Sequence, residues 1–156
     1  MSEASLPTLN HVALTVPPDA LDEPDRRALL RFYGEVFGWD EMPTLTKDRE
    51  LLVLRAGSNE QFVFLQASEQ PMRCAGSEHF GLSVATVPLL DAILERAQRF
   101  RETDPGVELI DRKVDDFTAV KLHSFYVRYR LPMMIEVQCF EWMPGFDAAS
   151  RGAASA

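Results

Sequence analysis

One short stretch occurs twice in the chain, and this repeat is the feature that most constrains the fold. Residues 10–16 read NHVALTV, and residues 78–84 read EHFGLSV. Each copy begins with a polar residue and a histidine, and each is followed by proline and then by a helical pattern. An internal repeat of this kind predicts two copies of one supersecondary unit.

Both copies have the alternation of a β-strand, in which successive side chains point to opposite faces. One face of each copy is apolar and suits packing under a helix. The other face carries a histidine followed by small or polar residues, namely His11, Ala13 and Thr15 in the first copy and His79, Gly81 and Ser83 in the second. In both copies, the face that carries the histidine suits the lining of a cavity better than a core.

The rest of each half predicts a helix followed by three strands. In the first half, a helix capped by Asp25 and ended by Gly38 precedes strands at residues 41–46, 51–55 and 61–66. In the second half, Pro88 opens a helix to residue 101, and strands follow at residues 107–112, 117–129 and 133–142. The predicted organisation is a tail at 1–8, a first module at 9–66, a linker at 67–77, a second module at 78–143 and a tail at 144–156.

Composition excludes several classes of function. The formal net charge of −8 argues against nucleic acid or an anionic membrane as the partner. No apolar run reaches membrane-spanning length, and the N-terminus lacks the pattern of a signal peptide, so we expect a cytoplasmic protein. Cys74 and Cys139 lie far apart without a C-x-x-C motif, which argues against a disulfide framework or a thiolate zinc site.

The last predicted strand adds a carboxylate to the two histidines. Glu136 lies between Ile135 and Val137, where burial is costly unless a cation or hydrogen-bond donors face it. Two neutral imidazoles and one carboxylate form a facial ligand set that leaves positions open on a divalent ion, as in non-haem Fe(II) sites and some Mn(II) and Zn(II) sites. We therefore predict His11, His79 and Glu136 as ligands of one divalent metal, with Fe, Mn and Zn left open.

The same residues carry a resemblance to a known family. The relevant segments are residues 9–16 and 79–84, the helix end at 32–39 (FYGEVFGW), and FYVR at 125–128 ahead of residues 135–137. From residue 9 to residue 142 the chain resembles the vicinal oxygen chelate superfamily, which includes glyoxalases, bleomycin-resistance proteins and extradiol dioxygenases. The resemblance implies an α+β fold of two tandem βαβββ modules, each a mixed sheet curled around a cavity with helices outside.

The resemblance also implies a ligand set. The four ligand positions of the family fall on His11, Phe64, His79 and Glu136, so one position is apolar here. Phe64 counts against the four-ligand glyoxalase I-like enzymes and their relatives, unless Gln66 substitutes for it. Three ligands match extradiol dioxygenases, hydroxyphenylpyruvate dioxygenase-like enzymes and fosfomycin-resistance transferases. Small members of the superfamily pair as homodimers, with each site built from one chain or from two.

Further residues are predicted around this set. The resemblance implies that Tyr126, ten residues before Glu136, acts as a general acid, a general base or a wall of the cavity. Strand alternation turns His123 away from the face of Tyr126. Residues on the ligand faces are predicted to bind the substrate: Thr15, Phe64, Ser83 and Gln138.

Two functions follow from these predictions. The first is a metal-dependent enzyme that chelates vicinal oxygens of a small organic substrate, with an extradiol-type dioxygenase ranked slightly above a lyase, isomerase or transferase. The second is a metal-free protein of the bleomycin-resistance kind that sequesters a drug or metabolite. Aromatic side chains suited to that second role are numerous: Phe62, Phe64, Tyr126, Phe140 and Trp142.

Overall fold

The computed structural model describes residues 7–146, which belong to two compact units divided between Met72 and Arg73. The first unit contains β1 (His11–Val16), a 3-10 helix (Pro18–Leu21), α1 (Asp25–Phe37), β2 (Asp40–Glu41), β3 (Leu51–Arg55) and β4 (Phe62–Ala67). Its strands form a sheet in the order β1-β4-β3-β2, in which β1 runs parallel to β4.

The second unit repeats the order of strands and α-helix without the 3-10 helix, and its sheet has the same topology. It contains β5 (His79–Ser83), α2 (Val87–Thr103), β6 (Glu108–Asp116), β7 (Val120–Arg128) and β8 (Met134–Trp142). Its sheet has the order β5-β8-β7-β6, with β5 parallel to β8 and the other pairs antiparallel. The predicted α+β fold of two βαβββ modules is therefore confirmed.

Each helix buries one apolar stripe, as the sequence periodicity predicts. Gly38 has a φ of 73° and ends α1 in the left-handed conformation, and the Thr86 side chain caps α2 by accepting a hydrogen bond from the Leu89 backbone N–H. The stripes consist of Leu29, Phe32, Tyr33 and Val36 in α1, and of Leu90, Ile93, Leu94, Ala97 and Phe100 in α2.

Two local predictions were wrong. Asp25 is the first residue of α1 rather than its cap, since Pro24 occupies the cap position without a side-chain bond. The strand predicted at 41–46 is only Asp40–Glu41, because the backbone N–H groups of Leu45 and Thr46 both donate to the carbonyl of Met42. Those turn bonds use donors that a longer strand would need. The terminal tails lie mostly outside the described residues.

Strand β6 contains a β-bulge that the sequence did not reveal. Ile110 pairs with Tyr126 and Lys113 pairs with Ser124, so three steps along β6 match two steps along β7. The extra residue places Lys113 on the face of the sheet that carries Tyr126, here called the Tyr126 face. Arg112 meets Asp91 of α2 on the opposite face, here called the helix face.

Candidate functional site

Corresponding strand pairs in the two sheets have the same register. His11 pairs with Phe62 across β1 and β4, and His79 pairs with Met134 across β5 and β8. Two residues further along, Phe64 and Glu136 therefore occupy equivalent positions. This register supports the sequence alignment that assigned them to the same ligand position.

Three predicted site residues meet in the second unit. Nε2 of His79 lies 3.2 Å from Oε2 of Glu136. The Tyr126 ring packs edge-on against the imidazole of His79, with centroids 5.3 Å apart, and the Tyr126 hydroxyl hydrogen-bonds to Glu136. Glu136 is only 6% exposed, whereas His79 is exposed and Tyr126 is half-buried. The Tyr126 face thus holds a buried carboxylate with an imidazole and a phenol in contact with it.

The hydrogen bonding of His79 fixes which ring nitrogen presents a lone pair. Its Nδ1 lies 2.9 Å from the backbone carbonyl oxygen of Ser77. Because a carbonyl oxygen only accepts, Nδ1 carries the proton of the neutral ring and Nε2 has none. In the neutral ring the Nε2 lone pair therefore faces a carboxylate oxygen of Glu136, whereas in the imidazolium form Nε2 donates to that oxygen. Such a contact is favourable only with a proton or a metal cation between the two atoms.

His11 has the same arrangement in the first unit. Its Nδ1 lies 2.7 Å from Oδ1 of Asn10, an amide oxygen that accepts the ring proton and leaves Nε2 with a free lone pair. The imidazole stacks on Phe62 with centroids 5.2 Å apart and meets the edge of Phe64 at 5.6 Å. Metal-binding histidines are commonly oriented by a hydrogen bond from the other ring nitrogen, so both histidines fit that role.

Tyr126 is held in its protonated form. The hydrogen bond to Glu136 raises the pKa of Tyr126 above its ordinary value of 10.0, and burial raises it further, while the positive charge of Lys113 acts in the opposite direction. At neutral pH the phenol is thus a hydrogen-bond donor within reach of the Glu136 carboxylate. This is the protonation state that a general acid or an orienting donor needs.

Comparison with solved structures gives the fold. A glyoxalase/bleomycin resistance protein/dioxygenase family enzyme from Burkholderia phytofirmans aligns with a TM-score of 0.59 at 14% identity, over 85% of this chain and 98% of that chain. Lactoylglutathione lyase from Agrobacterium tumefaciens aligns with a TM-score of 0.58 at 18% identity, over 85% and 92% of the two chains. A glyoxalase/bleomycin resistance protein/dioxygenase from Nocardioides aligns with a TM-score of 0.57 at 15% identity, over 92% and 89%.

The chain has the glyoxalase/bleomycin resistance/dioxygenase fold. At these identities the likeness establishes the fold and not the reaction. No protein-family model matches the sequence, and no curated protein matches it either.

Within this glyoxalase-type fold, the residues predicted to bind substrate have different surroundings. Oγ1 of Thr15 accepts a hydrogen bond of 2.7 Å from the backbone N–H of Met72, so it ties down the residues after β4. Phe64 is half-buried against His11. Ser83 is exposed, and it pairs in register with Gln138, which is half-buried.

His123 lies on the helix face, as strand alternation predicts. Its Nδ1 is 2.8 Å from Nη2 of Arg112, and its Nε2 is 2.8 Å from Oε2 of Glu141. A guanidinium only donates, so Nδ1 accepts and Nε2 donates to Glu141, which lowers the pKa of that carboxyl. Asp91 holds the other side of Arg112 at 2.9 Å. His123 therefore links two strands of the sheet to α2.

The predicted metal ligands divide between the two units. His11 belongs to the first unit, whereas His79 and Glu136 belong to the second. Across residues 7–146, no three His, Cys, Asp or Glu side chains are grouped so as to hold a metal ion. In the same part of the chain, no helix has the length and apolar character needed to span a membrane.

Proposed function

We propose that the protein is a metal-dependent enzyme in which His79 and Glu136, with His11 as the third ligand, hold one divalent ion. The substrate is a small organic molecule whose vicinal oxygens chelate that ion. An extradiol-type dioxygenase ranks slightly ahead of a lyase, isomerase or transferase, and three ligands leave more open positions than the four of glyoxalase I-like enzymes.

The contact between His79 and Glu136 is the observation that carries this proposal. A buried carboxylate oxygen lies 3.2 Å from Nε2 of the His79 imidazole. Without a positive charge between them this pair destabilises the fold, whereas a divalent cation makes both atoms ligands. His11 supports the proposal independently, because the Asn10 side chain leaves its Nε2 free in the same way.

The donor set fits a divalent first-row metal, since it combines imidazole nitrogens and a carboxylate oxygen. When bound, such an ion acts as a Lewis acid toward the substrate oxygens and, if it is iron, supports chemistry with O₂. The backbone carbonyl of Ser77 and the side chain of Asn10 orient the two imidazoles. Tyr126 orients the Glu136 carboxylate and offers its hydroxyl proton to a substrate oxygen.

A homodimer forms part of the proposal. His11 and Glu136 come from different units, so a site assembled from one chain and a site assembled from two chains are both compatible with the ligand set. Mixing H11A protein with E136Q protein separates these two arrangements. If sites are shared between subunits, a mixed dimer regains one intact metal site, whereas sites within one chain stay defective.

Metal analysis tests the proposed function. Protein purified without chelator should contain close to one divalent ion per site, and H11A, H79A and E136Q should each lose it. E141Q is the matched control, because Glu141 lies on the same strand as Glu136 but contacts His123 on the helix face. Retention of metal in all three variants would overturn the proposal. Oxygen uptake with catechol as the probe then separates dioxygenase from the other reaction classes.

The alternative is a metal-free protein that sequesters a small molecule. One observation favours it: the rings of His11, Phe62 and Phe64 pack against one another, and the Phe62 and Phe64 centroids are 5.0 Å apart. Aromatic rings of this kind can stack on a flat ligand. In that case chelator-treated protein binds a flat apolar dye, F62A and F64A weaken the binding, and no variant changes the metal content.

A further inference from the structure

The Tyr126 face carries a cation that the proposed chemistry does not use. Nζ of Lys113 lies 6.0 Å from the centroid of the Tyr126 ring. Tyr126 contacts His79 as well, so one aromatic side chain is in contact with both the imidazole and the lysine. A ligand lying along Tyr126 would reach Lys113 from the His79 and Glu136 end.

The β-bulge in β6 places Lys113 on this face. Regular alternation from Ile110 would bring Arg112 opposite Ser124, but the extra residue brings Lys113 there instead. Bulges next to active sites often re-aim a side chain in this way. The bulge thus supplies Arg112 to His123 and Lys113 to the Tyr126 face at the same time.

The ammonium group of Lys113 is available for exchange. Its partner is Asp115, with Nζ and Oδ2 2.9 Å apart, and the two side chains are 50% and 39% exposed. An exposed pair of this kind contributes little stability, so a ligand anion can replace the aspartate. Arg128, on the same face, is bound more firmly, because two of its nitrogens donate to the two carboxylate oxygens of Glu108.

A second polar group on this face lacks a partner. Ser124 is fully buried, and its Oγ makes no hydrogen bond within residues 7–146. In register it lies between Lys113 and Gln138, on the same face as Tyr126. Buried hydroxyls are nearly always hydrogen-bonded, so an unsatisfied one beside an exchangeable cation indicates a place for a polar ligand group.

We propose that Lys113 is a specificity residue that binds a carboxylate of the substrate, so that the enzyme selects small diols bearing an anionic group. This inference rests on the proposed function, since the diol would be held at His79 and Glu136. A divalent ion held by His79 and Glu136 would, together with Lys113, outweigh the negative charges of Asp115 and Glu136, so the face would attract an anion.

Calorimetric titration of the full-length protein loaded with Zn(II) tests the inference. Zinc has no redox chemistry, so neither probe is consumed. The probes are catechol and 3,4-dihydroxybenzoate, which differ by one carboxylate. We expect the acid to bind at least about tenfold more tightly than catechol, K113M to abolish this preference, and K113R to keep most of it. K121M is the matched control, since Lys121 lies on β7 away from the Tyr126 face.

The outcomes distinguish the two proposals. If both diols bind but K113M leaves the ratio of their dissociation constants unchanged, or if the wild type shows no preference, the role of Lys113 is wrong and the metal site stands. If neither diol binds the zinc-loaded protein, the proposed function fails, and the role of Lys113 fails with it.

Discussion

Phe64 and Glu136 occupy equivalent positions in the two sheets, Phe64 beside Ala13 on β1 and Glu136 beside Gly81 on β5. Each lies close to the histidine at the start of its neighbouring strand. The repeat is therefore symmetric in its backbone and its histidines, and asymmetric in one ligand position. Under the proposed function, this asymmetry leaves three protein ligands instead of four.

Restoring the symmetry should strengthen metal binding. In F64E a carboxylate would lie near His11, as Glu136 lies near His79, so we expect the affinity for Zn(II) to rise about tenfold, or about 1.4 kcal/mol. Competition with a chromogenic chelator measures this change. F64Q is the control, because it places a side chain of the same length at position 64 without the negative charge. An unchanged affinity in F64E would show that position 64 does not face the metal.

The hydrogen bond from His11 to Asn10 should matter for metal affinity. N10A removes the acceptor that keeps the proton on Nδ1, and losses of such orienting partners typically cost about 10- to 100-fold in affinity. Zn(II) titration of N10A and wild type measures the effect. N59A serves as the control, since Asn59 bonds only Arg55 in an exposed loop. Equal affinities would mean that Asn10 does not orient a ligand.

His123 should be structural. H123A removes two hydrogen bonds made by a buried side chain and leaves Arg112 with one fewer partner, so we expect the free energy of unfolding to fall by about 1–3 kcal/mol. Urea denaturation measures that loss. Metal content should stay at the wild-type level. Loss of metal from a variant of unchanged stability would assign His123 to the site instead.

Alkaline pH should destabilise the protein through Tyr129. Burial raises the pKa of this phenol above 10.0, and the hydrogen bond to Asp104, 2.6 Å long, raises it further. Because the folded-state pKa is the higher one, the stabilisation is complete below pH 10 and is lost as the pH rises through the folded value. Melting temperatures between about pH 9 and pH 11 should therefore fall less steeply in Y129F than in wild type. If the melting temperatures of Y129F and wild type fell equally with pH, this role of Tyr129 would be refuted.

The turn after α1 offers a test of backbone conformation alone. Gly38 has a φ of 73°, and a Cβ added there meets nothing within 4 Å. G38A should then cost about 1 kcal/mol of stability through the left-handed backbone, with no steric clash. G38N should cost less, since asparagine tolerates this region. A neutral G38A would mean that the turn changes its conformation.

The sequence was sufficient for the architecture because its signals are local. Alternation around His11 and His79, and the stripes of both helices, depend only on neighbouring residues. The same rule placed His123 on the face away from Tyr126. The geometry of the proposed ligand set does not follow from local signals, since His11 lies in one unit and Glu136 in the other.

The misses have a physical cause as well. The strand predicted at 41–46 is shorter than expected because backbone N–H groups of the turn donate to the carbonyl of Met42. Composition does not reveal this competition for donors. The roles of Arg112 and Lys113 depend on the register between β6 and β7. That register is a property of the pairing, and no residue of the bulge marks it in the sequence.

The bulge gives two adjacent cations of β6 opposite duties, and its effect depends on how β6 pairs with β7 rather than on residue type. If β6 kept its length but paired with β7 without the bulge, Arg112 would lie opposite Ser124 and leave His123 without its guanidinium. Regular pairing would thus exchange the charges of the two faces and uncouple helix from sheet, while every side chain involved stayed in the chain.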